Sequence, residues 1–136
     1  MNNDNLSSVR ILIVEDESLV SMLLEDMLGD LGCIVAAAAS ELGDAKAKLS
    51  STAYDAVILD VNLNGARTFG IAQTLAQSHT PFVFSTGYGA DGIPAQFRGV
   101  PILSKPFSKR EVERALAAAL DAGSRSPQRA EPESES

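Results

Sequence analysis

The chain has 136 residues, 45% of them hydrophobic, which suits one buried core and leaves no room for a second folded module. A formal charge of -7 argues against nucleic acid as a principal partner, because holding a phosphate backbone relies on clustered Lys and Arg. Cys33 is the single cysteine, so no internal disulfide framework exists and the cytoplasm is the expected location. Met1 to Ser8 lacks the basic and apolar blocks of a signal peptide, and no apolar run approaches the roughly 18 residues of a membrane helix. Neither nucleic acid nor a membrane is therefore expected as a partner.

Along the chain, short β-branched runs alternate with amphipathic stretches, the rhythm of βαβ units on a parallel sheet. Val9 to Val14 reads as a buried strand that stops at Glu15-Asp16-Glu17. Val20, Leu23, Leu24, Met27, Leu28 and Leu31 recur at helical spacing, with Gly32 as the expected C-terminal cap. Cys33 to Ala38 is a weaker strand, followed by a short helix through Leu42, Ala45 and Leu49. Ala56 to Leu59 is the third strand and leads to Asp60; Asn64-Gly65 marks a turn before a helix with Phe69, Ile71, Ala72 and Leu75. Pro81 to Ser85 is the fourth strand.

Five residues of Gly and Pro type, Gly87, Gly89, Gly92, Pro94 and Gly99, then crowd one segment. At roughly 1 kcal/mol lost per Gly, a fourth helix there is expected to be short or irregular. Val100 to Ser104 reads as the fifth strand, and Ser108 with Glu111 has the spacing of a capping box for a last helix through Val112, Leu116, Ala119 and Leu120. Residues 1–8 and 123–136 read as disordered ends around a domain at 9–122, the latter because Ser, Pro, Glu and Arg replace the apolar residues.

In an open parallel sheet, ligands bind beyond the carboxyl ends of the strands, where strand order reverses. Four predicted strands end in reactive side chains: Glu15 and Asp16, Asp60, Thr86, and Lys105. Carboxylates gathered there repel, by about 4 kcal/mol for a pair about 4 Å apart at an effective dielectric of about 20, so the cluster wants a cation. A hard, all-oxygen site with few protein ligands suits Mg²⁺. Asp60 then has two roles, metal ligand and nucleophile toward a phosphoryl group. Transfer spreads charge over the phosphoryl oxygens, which the Lys105 ammonium and the Thr86 hydroxyl are of the right type to receive. No general base is needed when the donor carries a good leaving group.

Four segments, Ile11-Leu12-Ile13-Val14-Glu15-Asp16-Glu17, Val57-Ile58-Leu59-Asp60, Phe84-Ser85-Thr86-Gly87 and Lys105-Pro106-Phe107, together resemble the receiver domains of two-component response regulators over about residues 9 to 121. The resemblance implies a flavodoxin-like, doubly wound α/β fold with five parallel strands in order 2-1-3-4-5. It implies Asp60 as phosphoacceptor, metal binding by Glu15, Asp16, Asp60 and the backbone of Asn62, and a cis peptide between Lys105 and Pro106. A histidine kinase or phosphotransfer protein is the implied donor. The Phe-Ser-Thr-Gly-Tyr run further resembles the stand-alone receivers nicknamed FAT GUY, which have Ala at the position of Ser85 and signal through another protein. Two departures stand out: Ile102 occupies the place of the switch aromatic common in the family, and no proline follows Val61-Asn62-Leu63-Asn64. Tyr88 either replaces that aromatic or gates access to Asp60.

Plainer readings exist for each residue. Glu15 and Asp16 could be a solvated helix start, Asp60 a helix cap, Thr86 a turn residue and Lys105 a surface charge; only their combination points to a site. His79 reads as an ordinary surface residue, and Cys33 and the methionines as core filler. A haloacid-dehalogenase-type phosphatase would need a second Asp where Asn62 stands. A flavodoxin-like electron carrier would need a Ser, Thr and Gly loop where three carboxylates stand. A pseudo-receiver that docks without phosphorylation is disfavoured by the intact Asp60, Thr86 and Lys105. The expected protein is thus a phosphoacceptor and not an enzyme with a separate substrate, a monomer or weak dimer whose phosphorylation shifts a population at Gly87 to Gly99 and the last helix.

Overall fold

Strands that are apolar on both faces must be covered on both faces, and this requirement shapes the architecture. The computed structural model describes residues 6–89 and 92–124. The elements in chain order are β1 (Arg10–Val14), α1 (Ser18–Asp30), β2 (Ile34–Ala39), α2 (Leu42–Ser51), β3 (Ala56–Asp60), β4 (Asn62–Leu63), β5 (Ala66–Arg67), α3 (Phe69–Gln77), β6 (Phe82–Thr86), a 3-10 turn (Ala95–Phe97), β7 (Ile102–Ser104) and α4 (Lys109–Ser124). Five strands form one sheet in the order β2-β1-β3-β6-β7, with every pairing parallel. This is the predicted 2-1-3-4-5 order once the small β4–β5 hairpin is set aside.

Alternation along each strand sends its side chains to two separate apolar layers. Ile11, Ile13, Ile58 and Val83 pack with Leu24 and Leu28 of α1 and with Val112 and Leu116 of α4. Leu12, Val14, Val57, Leu59 and Phe84 pack on the opposite face with Ala45 of α2 and with Ile71 and Leu75 of α3. The chain leaves β1 toward β2 on one side and returns to β3 on the other, so the strand order reverses at the adjacent tips of β1 and β3. Among the described residues, no helix is long and apolar enough to cross a membrane.

Two predicted caps form. Gly32 takes a φ of +88° after α1, its N–H donates to Gly29 O at 3.1 Å, and the Cys33 N–H donates to Leu28 O at 2.9 Å. These paired bonds close the helix by a Schellman motif, which needs a left-handed residue at that position. At the start of α4 the Ser108 N–H donates to Glu111 Oε1 at 2.7 Å and the Glu111 N–H donates to Ser108 Oγ at 3.1 Å. That reciprocal pair is the capping box.

Several expectations need correction. Leu6, assigned to a disordered start, is 2% exposed and packs into the α1/α4 layer, so the packed unit begins before Val9. Helix α4 runs through Ser124, past the expected boundary at residue 123, while residues 125–136 lie outside the described residues. The Asn64-Gly65 turn closes a hairpin that the sequence did not announce, because its strands have two residues each; both turn residues have positive φ, +54° and +87°. The fourth helix, by contrast, is short as expected: among the described residues between β6 and β7 it is the 3-10 turn Ala95–Phe97. Met22 is 60% exposed, unlike the core methionine anticipated.

Ser85 is fully buried on β6, where its Oγ has no hydrogen-bond partner. An unpaired buried hydroxyl is destabilising. Ser85→Ala is therefore expected to raise stability by about 1 kcal/mol, read as a higher urea midpoint at unchanged slope; a lower midpoint would show that the hydroxyl is paired in solution.

Candidate functional site

The carboxyl ends of β1, β3, β6 and β7 converge on one open cleft, whose walls include Asp16, Asp60, Asn62, Thr86, Tyr88 and Lys105. Each tip is fixed by ladder bonds: the Glu15 N–H donates to Ala39 O at 3.0 Å, the Val61 N–H to Ser85 O at 3.0 Å, and the Lys105 N–H to Thr86 O at 2.8 Å. The side chains are thus anchored on the rigid sheet, while their functional ends face the cleft.

Asp60 is 4% exposed. Its Oδ1 accepts the Asn62 N–H at 3.1 Å and its Oδ2 accepts Lys105 Nζ at 3.0 Å. Lys105 Nζ also donates to Glu15 Oε2 at 3.2 Å and to Glu17 Oε1 at 3.2 Å. Glu15 is buried; its Oε2 accepts the Glu17 N–H at 3.1 Å, whereas its Oε1 makes no hydrogen bond and lies 3.1 Å from Lys105 Nζ. Asp16 Oδ2 accepts the Asn64 N–H at 2.8 Å, which ties the β1 tip to the hairpin turn. One carboxylate oxygen each from Glu15, Asp16 and Asp60 all lie within 4.8 Å of one another, a grouping able to hold a metal ion.

Electrostatics follow from this crowding. Burial pushes the Glu15 carboxyl up from 4.5 to about 7, and the neighbouring Asp60 charge adds to the rise against the pull of the Glu17 N–H and of Lys105. Burial opposes the charge on Lys105, yet its hydrogen bonds and attraction to Asp60 and Glu15 outweigh that and hold the ammonium above its usual range. Three carboxylates, Glu15, Glu17 and Asp60, therefore share one ammonium.

Thr86 is 3% exposed, and its Oγ1 accepts the Tyr88 N–H at 3.0 Å, which leaves the hydroxyl proton to donate into the cleft. Tyr88 itself is 77% exposed on the cleft wall, so its ring does not fill the place of a buried switch aromatic. Ile102 stays outside the cleft, partly buried against the layer that contains Phe82, Phe84 and Phe97. The expected cis peptide joins Lys105 and Pro106. The structure thus gathers Glu15, Asp16, Asp60, Asn62, Thr86 and Lys105, sets Tyr88 at the rim and leaves Ile102 behind.

Three contributors escaped the sequence. Glu17 shares the Lys105 ammonium, although it was legible only as part of a motif. Thr68 is fully buried and donates its hydroxyl to Asp60 O at 2.6 Å, and its N–H to Val61 O at 3.0 Å, so it clamps the backbone at Asp60. Arg67 lines the cleft. Its only signal was a charge placed soon after the Asn64-Gly65 turn.

The arrangement is a nucleophilic carboxylate with an ammonium and a hydroxyl within its cleft and a carboxylate set fit for a hard cation. Comparison with known proteins agrees. The family model for the response regulator receiver domain matches residues 11–117. The transcriptional regulatory protein TcrA of Mycobacterium tuberculosis is 36% identical over 118 residues, covering 83% of this chain and 46% of that protein. This chain spans about half the length of the curated relatives it matches. The solution structure of SdrG from Sphingomonas melonis Fr1 is 40% identical, covers 88% of this chain and 99% of that one, and superposes with a TM-score of 0.75. The BeF3-activated conformation of SdrG from Pseudomonas melonis Fr1 is 42% identical, covers 84% and 98%, and has a TM-score of 0.72. The chain belongs to the response regulator receiver domain family.

Proposed function

We propose that Asp60 accepts a phosphoryl group from a histidine kinase or phosphotransfer protein and that the modified domain signals by binding another protein. The observation that carries this reading is the Asp60 carboxylate held 3.0 Å from Lys105 Nζ at the floor of an open cleft that also contains Thr86. In the transfer, an Asp60 Oδ–P bond forms as the donor's N–P bond breaks; the electron pair stays on that donor nitrogen, and the imidazole, which carries a proton on its other ring nitrogen, leaves neutral. Lys105 offsets charge on one phosphoryl oxygen, and the Thr86 hydroxyl donates to another. Asn62 and Thr68 hold the acceptor in place through its carboxylate and its carbonyl. The domain is a phosphoacceptor and acts on no separate substrate.

The residues fit Mg²⁺: Glu15 Oε1 is buried without a hydrogen bond, and the neighbouring oxygens of Asp16 and Asp60 complete a hard donor set. Glu15, Asp16, Asp60 and the main-chain carbonyl of Asn62 would hold the ion. When bound, it supplies positive charge that neutralises carboxylates and phosphoryl oxygens.

A donor protein is supported by the exposed apolar face of α1, where Leu19 and Met22 are 79% and 60% exposed and Leu23 reaches the cleft wall. A cytoplasmic location accords with these partners. The likeness to SdrG, which has a BeF3-activated conformation, supports a response of the same kind here: a population shift in residues 87–99, whose described part holds the short 3-10 turn Ala95–Phe97.

Three outcomes are expected. Incubation with acetyl phosphate and Mg²⁺ adds one phosphoryl mass to the wild type and none to Asp60→Asn, while Lys105→Met slows the gain on the order of 100-fold; a gain that survives Asp60→Asn moves the acceptor elsewhere. Beryllofluoride changes amide-exchange protection within residues 87–99, and identical protection with and without it refutes the proposed switch. Because Glu15 is pushed up from 4.5 to about 7 in the fold, the protonated form is favoured there: the contribution of Glu15 to metal-free stability is fully present below 4.5 and is lost as pH rises through about 7. Thermal midpoints in EDTA should show this decline, with Mg²⁺ or Glu15→Gln flattening it; a midpoint that rises over that range contradicts a buried, proton-retaining Glu15.

A further inference from the structure

The cleft has two cationic walls, and they are held differently. Lys105 faces the carboxylates of Glu15, Glu17 and Asp60 at 3.0 to 3.2 Å. Arg67 lines the same cleft, yet among the described residues no carboxylate lies within 4.0 Å of its guanidinium. A cation in the same cleft as the nearly buried Asp60 is of the right type to receive an anion there.

Backbone pairing explains its position. Arg67 stands opposite Asn62 across the β4–β5 hairpin, and directly opposed residues of an antiparallel pair project to the same face. Asn62 donates its N–H to Asp60 Oδ1 at 3.1 Å, and Thr68, the residue after Arg67, donates its hydroxyl to Asp60 O at 2.6 Å. Both strands of the hairpin are thereby tied to the acceptor.

On its other side Arg67 meets the segment expected to respond. Its Cζ lies 5.9 Å from the centroid of the Phe69 ring, and its Nη1 lies 3.5 Å from where a Cβ on Gly92 would stand. Phe69 in turn stacks on Phe97 of the 3-10 turn at 6.0 Å between centroids and meets Phe84 of β6 edge-on at 6.1 Å. The exposed Arg67 guanidinium is held only weakly by the partly buried Phe69 ring, whereas its planar fork of donors bonds phosphoryl oxygens strongly.

Resting on the phosphoacceptor reading above, we infer that Arg67 is a second phosphoryl-binding cation and the link from Asp60 to residues 92–97. Phosphorylation brings a group of about -1.5 to -2 charge to the acceptor, while Lys105 is already divided among three carboxylates. The guanidinium turns from Phe69 and Gly92 toward the new oxygens, and the Phe69–Phe97 stack and the Gly92 backbone lose the group that covered them. In this domain that movement takes the part for which Ile102 has no ring.

The test is a beryllofluoride titration in the presence of Mg²⁺, followed by amide NMR, for the wild type, Arg67→Ala, Arg67→Gln and Arg67→Lys. Gln keeps a shorter polar stem and removes both the charge and the guanidinium fork, and Lys restores charge without the fork. Ala and Gln should each weaken binding about tenfold, roughly 1.4 kcal/mol, and shrink the shift changes at Gly92 and Phe97, with Lys recovering part of both. Wild-type affinity and wild-type shifts in the Ala and Gln variants overturn the role of Arg67 and leave Asp60 as acceptor. A wild type that neither binds beryllofluoride nor gains phosphoryl mass overturns the acceptor reading, and this inference with it.

Discussion

One half-buried ammonium among an excess of carboxylates governs this domain. Lys105 Nζ lies 3.0 Å from Asp60 and 3.1 Å from Glu15, both nearly inaccessible to water, and 3.2 Å from the more exposed Glu17. Removing one partner of such a group leaves an uncompensated charge in a poorly solvated place. The cluster is consequently underneutralised, and the Glu15 carboxyl is pushed up to about 7, first by burial and further by the neighbouring Asp60 charge. Any added positive charge is favoured there, and any added negative charge has to find a new partner.

The sheet makes this concentration of charge tolerable. Strands β1, β3 and β6 are buried along almost their whole length, and their tips cannot move independently without breaking ladders on both sides. Apolar burial therefore supplies the free energy that holds repelling groups together. The same rigidity means that a change of charge at Asp60 has to be absorbed by the less constrained parts around the cleft.

Those parts are the hairpin and the segment between β6 and β7. The hairpin has two residues per strand but is anchored on Asp60 by Asn62 and Thr68. The segment after Thr86 has little regular structure beyond the 3-10 turn, and Phe97 secures it to Phe69, Phe82 and Phe84. Among the described residues of this segment, a three-residue 3-10 turn is the regular structure, and such short elements are the kind from which conformational switches are drawn.

How much of this was legible in the chain follows from the range of each interaction. Strand identity, the capping box at Ser108 and Glu111, the Gly32 cap and the turn at Asn64-Gly65 depend on neighbours within a few residues, and composition and periodicity expose them. The carboxylate, hydroxyl and ammonium at the strand tips were legible because apolar strands announce where they end and parallel topology collects those ends. Which partners Lys105 holds, the burial of Leu6 and the clamp of Thr68 on Asp60 rest on contacts between distant or differently oriented segments. Tyr88 turned outward, Ile102 set apart and Arg67 brought over Phe69 were likewise decided only by tertiary structure, since side-chain direction depends on how the whole chain packs.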